Sequence, residues 1–405
     1  MNLTFNHIFR WLFASTVICL PSCHSSSVDE PTFPTDDEYL LKIDEIVYTE
    51  GIKYEISDAI SKFFAYANQS PENHITVTLE SPGTLESVLS GKTEGMDALT
   101  VSGPMDKTDL RYISDYAAGH YLINLNLSEA EFKDNKIPEE AMVQISNTTA
   151  ENGQTVEYCM QLPIFHLVLP KNIKEIGTSA FAGLLLMDLE VPKTVNKLGE
   201  FCFLGNAIGE GELIIPDGVT VIPRYAFYSY LHEQIRLSTS PCSSAGTKDA
   251  MKLPASASAR ALDRIVLPSS VKKVENFAFT NLQAKKLELG NKIEEIWYNA
   301  FSNNKTLETL ILPPSLKAIH SSCFAHLPAL KEIYTNNPQP PFADYSGDRL
   351  LCVEWMAPYA FNCEDSFCED CEHMYSDVIV HVPDGSIEDY YFANGWRNFD
   401  NFSEI

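Results

Sequence analysis

Positive charge is what this chain has least of. Its 405 residues hold 29 Lys and Arg against 55 Asp and Glu, a formal net charge of −26. No basic stripe exists that could displace counterions from a phosphate backbone, so nucleic acid is excluded as a partner. An anionic membrane surface would repel such a chain. The acidity reads as solubility, although acidic surfaces also recruit cations or basic partners. Catalytic signatures are missing too. There is no H-E-x-x-H, no G-x-S-x-G and no Walker loop. The glycines of "GNAIGEGE" at 205–212 lack a strand-then-helix frame and read as a turn. The ten His are scattered, and His166 and His381 lie in strand-like stretches that suggest structural roles. With so many Asp and Glu, a carboxylate pair in the folded chain is inevitable and nominates no glycosidase dyad. These absences lead to the expectation of a non-enzyme without a cofactor.

Long apolar runs are equally scarce. Trp11–Leu20, after Arg10, is too short to span a bilayer at ~20 residues, and no later run approaches that length. It suits the apolar stretch of a secretory leader. Leu20-Pro21-Ser22-Cys23 follows it and resembles a bacterial lipobox. That resemblance implies a diacylglycerol on the Cys23 thiol and cleavage that leaves Cys23 as the new N-terminus. An ordinary leader with a chance cysteine is the alternative. Acyl chains at ~0.8 kcal/mol per buried CH₂ would anchor the chain firmly, leaving the lipid as its only membrane contact. The expected organisation is a lipoprotein signal peptide over 1–22 and a flexible Ser/Pro tether over 23–36. The expected location is the outer membrane or cell surface.

What the chain has in abundance is a repeated phrase. "LIIPDGVTVIPRYAF" begins at Leu213, "IVLPSSVKKVENFAF" at Ile265 and "LILPPSLKAIHSSCF" at Leu310. The apolar-x-apolar starts fall at Leu167, Leu189, Leu213, Ile235, Ile265, Leu287, Leu310 and Ile333, in steps of 22, 24, 22, 30, 22, 23 and 23. A small residue and an aromatic follow six of these starts, at Ala180-Phe181, Cys202-Phe203, Ala226-Phe227, Ala278-Phe279, Ala300-Phe301 and Cys323-Phe324. Between the two marks sits an apolar pair such as Ile173/Ile176, Val219/Ile222 or Val271/Val274.

A period in the low twenties with L-x-L strands reads as a leucine-rich-repeat solenoid. One unit offers about five core side chains at ~1.5–3 kcal/mol each. Ordering ~22 residues costs ~1–2 kcal/mol apiece in backbone entropy, so a lone unit is far from stable and its neighbours must cover both open faces. Within "LIIPDGVTVIPRYAF", Leu213 and Ile215 point inward and Ile214 outward. Pro216 ends the strand and Asp217-Gly218 turns it. Val219 and Ile222 return the chain to the core, and Phe227 fills the far edge. The residue before that aromatic is small because backbones crowd there. The Ile235 unit departs: "STSPCSSAGTKDAMKLPASASARALDR" lacks both Pro and aromatic marks and reads as a bulging loop over 238–264.

These units resemble the BspA-like branch of leucine-rich-repeat proteins, found on the surfaces of gut and oral bacteria. The resemblance extends from about Asp97 to the closing "VIVHVPDGSIEDYYFANGWRNF", similar to that family's last strand and capping helix. "DALTVSGPMDKTDLRYI" and "LINLNLS" resemble its opening units, with Leu99/Val101 and Leu125/Leu127 on parallel strands and a helix near Lys107–Ala117 between them. "KIPEEAM" at 136–142 stands for the next aromatic mark. The expected fold is therefore an α/β solenoid of units about 22–24 residues long over 97–335. An N-terminal α/β cap is expected over 37–96, with Ile56, Ile60, Phe63, Phe64 and Ala67 on one helical face, a strand in "HITVTLE" and a short helix in "TLESVL". A Cys-rich insertion and a strand–helix cap fill 336–405.

Of ten cysteines, Cys202 and Cys323 read as buried thiols, while Cys159 and Cys242 sit in loop-like stretches. Cys352, Cys363, Cys368 and Cys371 cluster within "CVEWMAPYAFNCEDSFCEDCEH". In an exported chain they would pair as disulfides, although their spacing also suits zinc or an iron–sulfur cluster. Four thiols allow three pairings, and the choice stays open.

A solenoid presents a long exposed sheet, so the functional expectation is a binding protein for a protein or glycan partner. The middle residues of the triplets form one row, Val168, Glu190, Ile214, Arg236, Val266, Glu288 and Ile311. Its charged members Glu190, Arg236 and Glu288 are the candidate contacts. The family resemblance implies an adhesin-like role. The alternatives are an accessory lipoprotein in nutrient capture, or a metal or redox module in the Cys-rich insertion.

Overall fold

The computed structural model of the protein describes residues 69–149, 155–159, 162–229, 261–320, 323–341, 373–393 and 395–405. Cys23, Arg236, Cys242, Cys352, Cys363, Cys368 and Cys371 lie outside them, as do the leader, the tether and the expected helix with Ile56 and Phe63.

The chain opens with β1 (His74–Thr78), α1 (Leu85–Leu89), β2 (Ala98–Met105), α2 (Lys107–Ala117) and β3 (Leu122–Phe132). The three strands are parallel, Ile75 opposite Leu99 and Leu99 opposite Leu125, with a register shift between Thr100 and Ser102. Parallel neighbours need a crossover, and the two helices supply it. Asp106 caps α2 by accepting from the Thr108 N–H at 2.8 Å. The buried Asp109 carboxylate accepts from the N–H groups of Asp106, Gly83 and Leu85 at 2.9, 2.7 and 2.9 Å, fastening α1 to α2. The expected pairing of the Leu99 and Leu125 strands across helix 107–117 is what the structure shows.

From here each coil contributes short strands to two ladders. β4 (Lys136–Ile137), the antiparallel hairpin β5 (Ile145–Thr149) and β6 (Thr155–Cys159), and β7 (Ile164–Val168) lead into the repeats. β7 pairs with β3 and completes a four-stranded sheet. The pair β8 (Glu175–Ile176) and β9 (Lys197–Leu198) extends a ladder begun by β4. Beyond them the apolar-x-apolar triplets form β10 (Glu212–Ile214), β12 (Arg264–Val266), β14 (Lys286–Glu288), β16 (Thr309–Leu312) and β18 (Glu332–Thr335). The apolar pairs form β11 (Val221–Ile222), β13 (Lys273–Val274), β15 (Glu295–Ile296) and β17 (Ala318–Ile319). Both ladders are parallel and aligned residue for residue, Leu213 with Ile265, Leu287 with Leu310 and Ile222 with Val274. The core lies between the ladders, and Leu213, Ile215, Val219 and Ile222 are all at most 1% exposed. Coils approach closely at the turns: a Cβ on Gly290 would lie 2.2 Å from the Pro268 carbonyl oxygen.

A third ladder runs along the aromatic edge. The N–H groups of Phe181, Phe203, Phe227, Phe279 and Phe301 donate to the carbonyls of Cys202, Ala226, Ala278, Ala300 and Cys323 in the next coil, at 2.8–2.9 Å. The residue before each Phe is small because it meets the preceding coil's backbone directly. The Phe rings stack with centroids 5.1–5.7 Å apart, within the range of favourable offset pairs. A left-handed residue precedes each pair: Ser179, Phe201, Tyr225, Phe277 and Asn299 have φ between 53° and 60°. Non-glycine residues carry strain there. Three of them, Phe201, Tyr225 and Phe277, build a second apolar cluster outside the main core.

Two expectations need correction. β10 pairs directly with β12, so Ile214 and Val266 are cross-strand neighbours although Glu212 and Arg264 are 52 residues apart. The row thus runs from Ile214 straight to Val266, and Arg236 lies outside the described residues. The second correction concerns Leu189–Val191, which forms no strand. On the outer face this coil is bridged through Met187, whose N–H donates to Phe165 and whose carbonyl accepts from Gly209 and Glu210, while β9 and Phe203 keep it in the other two ladders. The outer sheet is thus broken between β7 and β10.

The closing elements are α3 (His373–Ser376), β19 (Ile379–Val382), α4 (Ile387–Phe392) and β20 (Asn401–Glu404). β19 pairs with β18, and β20 adds one further strand that the family pattern did not suggest. Trp396, Tyr390 and Phe399 plug the end of the core.

Phe279→Ala removes one ring from the stack and should cost about 3–5 kcal/mol in denaturant unfolding. At the left-handed position, Asn299→Gly should be neutral or stabilising while Asn299→Val costs about 1–2 kcal/mol more. Equal stability of the two Asn299 variants would contradict the strain assigned to that edge.

Candidate functional site

The seven-stranded sheet β10-β12-β14-β16-β18-β19-β20 presents one face away from the core. Because its strands are aligned without slippage, side chains of one period fall into rows. The first row is Ile214, Val266, Glu288, Ile311, Tyr334, His381 and Ser403, each opposite the next. Ile214 is 48% exposed and Ile311 43%, far more than an aliphatic side chain with a place in the core. A second row, two residues back on each strand, runs through Glu212, Arg264, Lys286, Thr309, Glu332, Ile379 and Asn401.

Charges on this face are mutually satisfied at one end. Arg264 grips Glu212 with two hydrogen bonds of 2.7 and 3.0 Å and reaches Glu288 at 3.3 Å. Lys286 also meets Glu288, at 2.7 Å. The Lys286 hydrogen bond, with Arg264 behind it, holds the Glu288 carboxyl below the usual carboxylate range, against a smaller opposing effect of desolvation. At the other end the face becomes aromatic. Tyr334 and His381 stack with centroids 4.2 Å apart and planes 10° off parallel. The Tyr334 hydroxyl donates to Glu332 at 3.2 Å.

The three sequence candidates separate here. Glu288 lies in the row with its charge already paired. Glu190 is exposed but belongs to the coil that makes no strand, so it stands off the seven-stranded sheet. Arg236 is outside the described residues. Sequence reading missed that the row continues past Ile311 through Tyr334, His381 and Ser403. The apolar-x-apolar pattern in "IYT" and "IVHV" carried that signal.

The second sheet offers a different surface. Lys273 Nζ lies 3.5 Å from the centre of the Trp297 ring, whose Nε1 donates to Glu295 at 2.9 Å. Its prominent groups already hold one another. Cys202 and Cys323 are buried free thiols, as expected, and burial pushes both above the ordinary thiol range. Such thiols are inert. Among the described residues no group of three His, Cys, Asp or Glu could hold a metal ion, and no helix is long and apolar enough to cross a membrane.

Glu288 provides a test of the charge network. A carboxyl with a lowered folded pKa stabilises above its unfolded pKa, and that contribution disappears as pH falls through the folded value. Lys286→Gln should therefore raise the Glu288 titration midpoint, read from its side-chain carboxyl NMR shift. The stability difference from wild type should be larger at neutral pH than at pH about 3. An unmoved midpoint would contradict the pairing.

Comparison with known proteins follows the same division of the chain. Residues 155–247 and 256–344 match the model of the BspA type leucine rich repeat region, in six copies. Comparison with curated proteins finds no match. Among solved structures the chain is similar to the pneumococcal vaccine antigen PcpA, at 16% identity over 76% of this chain and 78% of that one, with TM-score 0.31. A leucine-rich repeat protein from Bacteroides ovatus shows 17% identity over 69% and 60%, with TM-score 0.32. A leucine rich cell surface protein from Faecalibacterium prausnitzii shows 13% identity over 82% and 79%, with TM-score 0.28. With six copies matched over residues 155–247 and 256–344 and with parallel repeat ladders, the repeat region of the chain is similar to the BspA-type leucine-rich-repeat proteins.

Proposed function

We propose that the chain is a binding protein of the bacterial cell surface, which docks a protein or glycan partner on the outer face of its seven-stranded sheet. The observation that carries this reading is the row Ile214, Val266, Ile311 and Tyr334. These side chains are kept in register across separate coils, with Glu288 between Val266 and Ile311, and Ile214 and Ile311 are exposed. Exposed apolar side chains set among charges are a feature of interaction sites. The Glu212–Arg264–Glu288–Lys286 network supplies the charge beside and within the row. The secretory leader and the sequence ending at Cys23 support surface display through a lipid anchor, with the repeats held outside the cytoplasm. The role is adhesin-like: retention of a partner rather than its chemical conversion.

The test is a triple variant, Ile214→Lys, Ile311→Lys and Tyr334→Ala, set against immobilised extracellular-matrix proteins and glycans. Substitutions at exposed sites should move stability by no more than about 0.5 kcal/mol each, while binding falls at least about tenfold. Affinity equal to wild type would reject this face. In cells, Cys23→Ser should abolish palmitate labelling and release the chain from the membrane fraction. Continued labelling would reject the anchor.

A further inference from the structure

Among the described residues no strand pairs with the outer edge of β20, the last strand of the sheet. The Ile405 N–H donates to the Val382 carbonyl at 3.0 Å, so alternate residues of β20 face β19. The peptide groups of Phe402 and Glu404 consequently point away from the sheet, and a strand's side chains alternate between its two faces. Ser403 continues the outer row, while Phe402 and Glu404 turn toward the end of the core, where Phe402 packs against it. Open strand edges are templates for a further strand.

Beside this edge lies an open groove of about 470 Å³ lined by Gly385, Ile387, Glu388, Tyr391 and Glu404. Its walls are aromatic and acidic. Tyr391 is 53% exposed and Phe392 70%, the largest exposure of any big apolar side chain described. Tyr391 meets the Phe402 ring edge-on at 6.4 Å. One oxygen of Glu404 accepts from the Gly385 N–H at 2.8 Å, and the Glu388 carboxylate makes no ion pair among the described residues. Nearby charge is one-sided: Asp377, Asp384, Glu388, Asp389, Asp400 and Glu404 stand against Arg397 alone from Asp377 to Ile405.

We infer that this edge accepts an extended basic segment of a partner protein as an eighth strand. Residues of that segment aligned with Phe402 and Glu404 would face the groove. There a Lys or Arg meets the carboxylates of Glu388 and Glu404 over the Tyr391 ring, and its alkyl stem covers the aromatics. Main-chain bonds supply affinity and the acidic groove selects for positive charge. A second copy of this chain is the wrong partner, because it would bring the same carboxylates and a net charge of −26 to the contact. The inference does not depend on the outer row and concerns a different surface.

Three blocked nonapeptides serve as probes. One alternates threonine with valine and lysine. The second has glutamate for lysine, and the third is the lysine peptide with prolines at alternate positions to remove ladder donors. Fluorescence anisotropy with the purified chain should show the lysine peptide binding at least about tenfold tighter than either counterpart. The double variant Glu388→Gln with Tyr391→Ala should weaken it about tenfold with an unchanged melting temperature, whereas the outer-row triple variant should bind as wild type. Overturning results are no binding of the lysine peptide, equal binding of the proline peptide, or an unchanged affinity in the double variant. A dimer in sedimentation that dissociates on the same double substitution would equally overturn it, by assigning the edge to a second copy.

Discussion

No coil of this solenoid satisfies its own backbone. Its N–H groups point along the rod and donate to carbonyls of neighbouring coils, the preceding as well as the next in the strand ladders and the next at the aromatic edge. Buried peptide groups without partners are costly, so a coil folds only where another lies against it. The requirement for small residues follows from the same constraint. Ala180, Ala226, Ala278 and Ala300 sit where one backbone rests on another, and Gly290 sits where a turn crosses its neighbour. The Phe stack fills the space this arrangement leaves, and the left-handed residues before it aim each Phe inward.

The same ladders set the candidate binding face. Register without slippage puts Ile214 opposite Val266 and Ile311 opposite Tyr334, so a line of exposed side chains arises from coils distant in sequence. Ion pairs between coils, such as Lys331 with Glu308 and Lys285 with Asp263, lie exposed on the surface and contribute little individually. Stability resides in the backbone ladders and the core, which leaves the outer face open to vary with its partner.

Much of this was legible in sequence because stacking imposes a period. The L-x-L strands, the buried apolar pairs, the small-aromatic mark and the buried Cys202 and Cys323 follow from residue spacing, and the helix over 107–117 from the family resemblance. What escaped had weaker local signals. The apolar pairs form a second ladder of two-residue strands, too short for any alternation to show. The strained conformation of Phe201, Tyr225 and Phe277 is hidden because bulky residues occupy positions where glycine or asparagine would have signalled it. Ile235-Arg236-Leu237 resembles a strand in sequence, yet β10 pairs directly with β12, and the triplet itself lies outside the described residues. Glu190 stands off the sheet because its coil keeps Leu189 and Val191 buried without a strand there, bridging the outer face through Met187 instead. β20 escaped because "NFSE" has only one large apolar residue.

The most direct test isolates two neighbouring coils, residues 265–309, and follows their unfolding by circular dichroism against the intact chain. In the fragment, Ile265 loses its partner Leu213 and the Phe301 N–H loses the Cys323 carbonyl. The account predicts a gradual, non-cooperative loss of signal from the pair and a sharp transition from the intact chain. A sharp, independent transition in the fragment would show that coils can stand alone, and would contradict the claim.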